Sequence, residues 1–236
     1  LPAAGSRRGS ILKEERRVGF NFDFALSTVP TIIGAIGTTL LATVLSCLGA
    51  SVLGFTFEMI RRGGGATGLA VRFLIDFIRS TPVLAWLYFL YFVLPFYGIK
   101  LGSMTVGILG LSLYYSGYLA EVFKAGIDAI PKGQQEAARA LSLSRRDTVV
   151  FVIAPQMLRN VAAPLGNYLV SILKATPYLA ILAVPEMLGR AFDIASETYR
   201  YAEPLTIAGI LFLALALLIS YGVKRVEQRL LAVGRR

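Results

Sequence analysis

Between Asp23 and Glu58 the chain runs without a charged side chain, and further uncharged stretches cover residues 80–99, 101–120 and 204–223. A helix needs about 20 apolar residues to cross a bilayer, and each of these stretches is long enough. With 56% hydrophobic residues over 236 positions, the chain reads as a polytopic membrane protein. The competing reading, a very apolar soluble core, does not survive uncharged runs of this length.

The pattern predicts an all-α membrane protein with about five transmembrane helices, at roughly 30–57, 80–99, 101–120, 161–187 and 204–223. Residues 1–23 form an N-terminal extension suited to the membrane surface, 24–230 one transmembrane domain, and 231–236 a tail. Residues 24–29 allow a short re-entrant or interfacial lead-in. Thr31, Gly34, Gly37, Thr38, Ala42 and Ser46 are expected to let helices approach closely. Pro82 suits the first turn of the second span, with Ser80 or Thr81 as cap, and Pro95 ends or kinks it. Pro164, Lys174, Pro177 and Pro185 predict an irregular or broken fourth span, followed by a charged hairpin from Glu186 to Glu203. No short cleavable signal is visible ahead of the first run, and a first residue of Leu rather than Met leaves the true start open.

Net charge of +10 is topological information in such a chain, because Lys and Arg concentrate in cytoplasmic loops. Placing residues 61–79, 121–160 and the tail in the cytoplasm puts fifteen Lys and Arg there against eight opposite, with the N-terminus outside. Arg7, Arg8, Lys13, Arg16 and Arg17 pull the other way, so a surface-bound helix or a further upstream segment is expected to account for them.

Several chemistries drop out. With no His and one Cys, neither a zinc site nor an internal disulfide has its ligands, and Cys47 reads as a small buried hydrophobe. No aromatic and basic platform for nucleic acid is present. There is no Gly-rich loop ending in Gly-Lys-Ser/Thr, so ATP phosphates are not cradled by the usual route. Asp and Glu are missing from the centres of the predicted spans, which weakens a proton-coupled carrier, and a Ser-His-Asp hydrolase lacks its base.

The loop at 121–160 carries the most information. Phe123, Ile127 and Ile130 continue the third span as an amphipathic helix up to Pro131. Residues 136–141 predict a short helix with Ala137, Ala138 and Leu141 on one side. Ser144-Arg145-Arg146-Asp147 reads as a capping box opening a second helix with Val149, Val150, Val152 and Ile153 as its stripe, ended by Pro155. Two short helices joined at 142–144 make a rigid knob on spans three and four, and whatever moves the knob moves both spans. A solvated hairpin with no partner is the plain alternative.

This segment resembles the "EAA" loop of permease subunits of ATP-binding-cassette importers. That pattern is Glu-Ala-Ala, three residues, Gly, nine residues, then Ile-x-Leu-Pro. Here the frame is Glu136, Ala137, Ala138, Ser142, Val152, Ala154 and Pro155, with Ser142 in place of the Gly. Arg79-Ser80-Thr81-Pro82, the run from Tyr118 to Gly133, and Pro164-Leu165-Gly166-Asn167 through Lys174-Ala175-Thr176 resemble the polar amino acid branch of the same family, which contains histidine, glutamine and arginine permeases.

The resemblance implies a type I importer fold in the bacterial inner membrane. It implies no enzyme activity and no cofactor in this chain, with ATP and Mg on partner subunits. Those partners would be a second permease subunit, identical or homologous, two ATP-binding subunits and an extracytoplasmic substrate-binding protein, all assembled in the lipid bilayer with no nucleic acid. Coupling would pass through Gly133, Glu136, Ala137, Ala138, Arg139, Leu141, Ser142, Leu143 and Ser144. A substrate path would involve Tyr118, Asn167, Tyr168, Ser171, Lys174 and Thr176. Where some relatives hold the side chain of a basic amino acid with acidic residues, this chain has Tyr168 and Ala175, so a basic substrate is not expected unless the paired permease carries that site. Lys174 is open to two readings: meeting a carboxylate, or snorkelling to an interface. A membrane channel or scaffold without nucleotide coupling is the alternative function.

Overall fold

The computed structural model describes residues 19–233, so most of the 1–23 extension and the last three residues of the tail lie outside it. Every regular element among the described residues is helical, as lipid demands of a backbone that finds no water to bond. Four helices are long and apolar enough to cross a membrane, and a bent pair makes five.

Asn21 opens α1 (Phe22–Gly34), accepting the Phe24 N–H on its side chain at 3.0 Å. After Ala35, α2 runs as Ile36–Arg62. The expected span at 30–57 is therefore displaced: residues 30–34 finish the lead-in helix, and the crossing continues past Glu58. Glu58 does not end it because Arg61 and Arg62 neutralise the buried carboxylate.

The second crossing is the main correction. The helix α3 (Gly65–Ser80) and the short α4 (Val83–Tyr88) meet at 103°. Thr81 and Pro82 are both extended at the corner, as the ring of Pro82 requires of the residue before it. The expected cap does not form; the Thr81 hydroxyl donates back to the Phe77 carbonyl at 2.8 Å. A wide π turn (Phe89–Val93) and a 3₁₀ turn (Leu94–Tyr97) containing Pro95 complete this arm, which closes at Gly98 with φ 83°.

Next, α5 (Ser103–Asp128) extends well past residue 120, and α6 (Lys132–Ala140) follows Pro131. From Arg145 the chain is helical without a break to Leu182, 38 residues in all, through a wide turn at Thr148–Ile153, α7 (Ala154–Ala175) and a 3₁₀ stretch at Thr176–Leu182. Pro155 does not end the loop's second helix. It lies in the first turn of α7, just after a π turn where the regular hydrogen-bond ladder is already interrupted, so its missing N–H costs little. Nor does Pro164 break the fourth span. The change comes at Pro177, which opens the 3₁₀ stretch, and Ala183 ends it with φ 56°. The expected charged hairpin is largely a helix, α8 (Met187–Thr198), and α9 (Ala202–Val233) makes the last crossing.

The α2–α5 interface organises the bundle. Thr39, Ala42, Thr43, Ser46, Ala50, Gly54 and Glu58 recur every three or four residues as the buried face of α2. Of the small residues singled out from sequence, Ala42 and Ser46 fall on this face, whereas Thr31, Gly34 and Gly37 are exposed. Ser112 of α5 donates to the Ser46 carbonyl at 3.3 Å. Small side chains bring the two backbones together because lipid tails provide no hydrophobic drive between helices. Cys47 is half-buried at the edge of a core built on Ala42, Leu87, Leu111, Ile172 and Leu179.

Candidate functional site

The knob expected from sequence is present. Of α6 only Ala138 is buried; Gly133, Glu136, Ala137 and Arg139 all lie exposed. The helix packs against the wide turn at 148–153, and Gln156 donates to Gln134 at 3.3 Å across the hairpin. Its C-terminus turns back through Ser142 at φ 55°, with the Ser142 and Leu143 N–H groups bonded to the Arg139 and Ala138 carbonyls. A left-handed residue after a helix is the position that favours Gly, which explains the Gly of the resembling pattern. Leu141, 75% exposed, and Leu143 project from the turn. Ser144 caps the next helix by accepting the Asp147 N–H at 3.1 Å and donating its hydroxyl to the Asp147 carboxylate.

Two clefts flank the knob. One, of about 460 Å³, is walled by Arg62 and Asp128 on one side and Lys132, Glu136 and Arg139 on the other. The second, of about 410 Å³, lies between Arg139, Leu143, Arg145 and Val149. The exposed helix thus presents both charge and apolar surface.

A separate cleft of about 510 Å³ opens higher on the same helices, between Arg79, Tyr118, Glu121, Asn160 and Tyr168. Of the residues singled out for a substrate path, it brings together Tyr118 and Tyr168, whose ring centroids are 6.2 Å apart. Tyr115 packs against Tyr168 at 6.1 Å and donates its hydroxyl to the Ser171 carbonyl at 3.2 Å. Ser171 itself bonds back to Asn167, so only its backbone joins the cluster. Asn167 and Lys174 are exposed and are not among the walls. Thr176 is buried, its hydroxyl donating to Leu173 at 2.8 Å, and Ala175 is buried in the core.

Sequence reasoning missed Arg79 and Glu121. The Arg79 guanidinium lies over the Tyr118 ring at 5.6 Å and 3.9 Å from Glu121, while Tyr118 donates its hydroxyl to the Arg79 carbonyl. The bend after α3 delivers Arg79 here. Only its place in the Arg79-Ser80-Thr81-Pro82 motif marked it in the sequence.

At the other end of the bundle, Glu186, the first residue of the expected charged hairpin, is buried. Its Oε1 caps α8 by accepting the Gly189 N–H at 2.6 Å, while Oε2 has no partner among the described residues. Burial pushes the carboxyl from the usual 4.5 up to about 7, against the opposing pull of the Leu188 and Gly189 N–H groups. A raised carboxyl pKa means that the folded protein holds a proton which the unfolded chain has already released. Stability is therefore expected to fall as pH rises from about 4.5 to 7, by about 3 kcal/mol in total, and then to level off. Melting of the detergent-solubilised protein at pH 5 and pH 8 checks this: the wild type loses stability at pH 8, and Glu186→Gln removes most of the difference.

The fold and the knob define a class: a membrane-spanning helical bundle with an exposed helical loop between two of its crossings. Residues 50–232 match the family described as "Binding-protein-dependent transport system inner membrane component", and the chain belongs to that family. Among curated relatives, the "Probable amino-acid ABC transporter permease protein y4tG" of Sinorhizobium fredii is 39% identical over 226 residues, 90% of this chain and 95% of the relative. The glutamine transport system permease protein GlnP of Escherichia coli is 30% identical over 89% of this chain and 98% of its own. In solved structures, a chain of an amino acid ABC transporter crystallised with histidines superposes with a TM-score of 0.82 at 29% identity, covering 89% of this chain and 99% of that one. A chain of the MetNI methionine ABC transporter, at 20% identity with TM-score 0.68, covers 84% and 95% and shows the fold alone. The architecture is the type I importer permease fold, in a multi-pass inner-membrane protein.

Proposed function

We propose that the chain is the permease subunit of an ATP-driven importer of polar amino acids or close relatives such as opines. It pairs with a second permease subunit and two ATP-binding subunits that hold ATP and Mg, and it takes substrate from an extracytoplasmic binding protein. The observation that carries this reading is the exposed α6 knob, fixed to the cores of α5 and α7 with only Ala138 buried. The names of the amino acid permeases similar to it over nearly its whole length support the substrate class.

In this reading Gly133, Glu136, Ala137, Arg139, Leu141 and Leu143 meet an ATP-binding subunit, while Ala138, Ser142 and Ser144 hold the knob's shape. Closure of the nucleotide subunits tips the knob, and the attached crossings swing the cavity between the two faces of the membrane. Tyr118 and Tyr168 wall the substrate cleft and Arg79 supplies the cation suited to a carboxylate; Asn167, Ser171, Lys174 and Thr176 act at its margins or in its frame. With Tyr168 and Ala175 in place of carboxylates, this subunit provides no anion there for a basic side chain.

Co-purification tests the reading. The wild-type chain is expected to retain its ATP-binding subunits through affinity purification, and replacement of residues 136–144 by a Gly-Ser linker is expected to release them without preventing membrane insertion. Retention by the replaced chain would favour a channel or scaffold that needs no nucleotide.

A further inference from the structure

One charge network, buried at Glu58, nearly buried at Arg61 and part-exposed at both ends, joins the cleft at Arg79 to the cleft beside the knob. At its upper end the Glu121 carboxylate Oε1 sits between two guanidiniums, 2.5 Å from Arg61 and 3.9 Å from Arg79. Arg61 also binds Glu58, with Nε donating to Oε2 at 2.6 Å. Glu58 is only 1% exposed and is held on its other oxygen by Arg62 at 2.6 Å. Arg62 in turn reaches Asp128 at 2.5 Å and the Lys124 carbonyl at 3.2 Å. Arg79 and Glu121 wall the membrane cleft; Arg62 and Asp128 wall the cleft that also contains Glu136 and Arg139.

Resting on the function proposed above, we propose that the chain of ion pairs Arg79–Glu121–Arg61–Glu58–Arg62–Asp128 is a relay reporting occupancy of the cleft to the coupling knob, with Glu121 and Arg61 as its positioning residues. Three observations carry this. First, one Glu121 oxygen is shared by two cations at unequal distances, so Glu121 has two available partners, one on the cleft side and one on the knob side. A carboxylate seated at Arg79 withdraws that cation and leaves Glu121 to Arg61 alone; an empty cleft lets Arg79 compete. Second, Glu58, 1% exposed, is held by Arg61 on one oxygen and by Arg62 on the other, so a shift of Arg61 toward Glu121 leaves Arg62 as the counter-charge the buried carboxylate needs. The Arg61 pair on the cleft side and the Arg62–Asp128 pair on the knob side are thereby linked through one buried carboxylate. Third, the network joins α2 to α5, and α5 leads through Pro131 directly into α6.

The test uses the complete importer in lipid nanodiscs, with its binding protein and an equimolar mixture of the twenty standard amino acids as probe. Its readout is the ratio of stimulated to unstimulated ATP hydrolysis. Coupling free energies of the usual size give a wild-type ratio of at least about fivefold. Glu121→Gln keeps the shape and removes the charge, and the ratio is expected to fall to about one through a rise in the unstimulated rate. Arg61→Lys, which lacks the fork whose separate nitrogens bind Glu58 and Glu121, is expected to do the same and stands in if the first variant fails to assemble. Arg190→Gln breaks the exposed pair with Asp193 on the opposite face and serves as the control that keeps the wild-type ratio. A wild-type ratio in both relay variants overturns the relay alone. So does a proportional loss of both rates with a lower melting temperature, which marks a structural role only. A wild-type complex that neither holds its ATP-binding subunits nor responds to the probe overturns the function proposed above as well.

Discussion

Glu136→Lys is expected to abolish uptake and the stimulation of ATP hydrolysis while the protein still inserts and folds. Glu136 is exposed on α6, so the substitution takes nothing from the core. What it alters is the charge of a wall shared with Lys132, Arg139 and Arg62. Reversing a charge within a complementary interface commonly costs several kcal/mol, which corresponds to more than about 100-fold in affinity for the ATP-binding subunit. The check is paired: co-purification and uptake collapse, while the melting curve of the isolated chain stays with the wild type. Full uptake by this variant would remove α6 from the coupling role.

The second large effect is expected at Gly54, and here folding itself fails. A Cβ built on Gly54 would stand 2.9 Å from the Ser116 carbonyl oxygen, 2.9 Å from the Ala120 nitrogen and 2.9 Å from the Leu119 Cβ. Two of those atoms are backbone of α5 and cannot turn aside, so the helices must part. Overpacking of this kind costs about 1–3 kcal/mol for a methyl group and more for a larger side chain. Gly54→Ala is expected to lower the melting temperature measurably, and Gly54→Leu to leave little folded protein in the membrane. In the isolated chain, Gly37→Ala on the same helix should bring no clash, because its added Cβ meets nothing within 4 Å beyond the adjoining turns of its own helix. If Gly54→Leu folds normally, the close α2–α5 approach does not hold the bundle together.

The parts of the structure legible in sequence were those written in local composition. The uncharged runs at 101–120 and 204–223 became α5 and α9, and the polar loop carried its own punctuation in Pro131, Ser142 and Ser144. Prolines misled because their effect depends on the turn around them. Pro155 is absorbed by the wide turn at 148–153, whereas Pro82 turns the chain through more than a right angle. Charged residues misled in the same manner. Glu58 closes the first uncharged run and Glu186 opens the charged stretch after the fourth span, yet each is buried. Glu58 goes inward because Arg61 and Arg62, three and four residues on, neutralise it on its own helix; what the local spacing does not reveal is that Arg61 also reaches Glu121, sixty residues further along the chain. Arg79 stayed hidden as a cleft residue for a related reason: its position depends on the angle at the corner, which is a tertiary quantity.

The unbroken path from Arg145 to Leu182 has a mechanical consequence. At about 1.5 Å of rise per residue its 38 residues make a shaft roughly 55–60 Å long. A pivot of about 10° would sweep its tip through about 10 Å. Pro164 is accommodated within regular helix, and Pro155 sits just after the wide turn at 148–153, where the hydrogen-bond ladder is interrupted. If the knob is pushed as proposed, the wide turn at 148–153 is where this shaft can bend, and from Ala154 to Ala175 the regular helix carries displacement on toward Thr176.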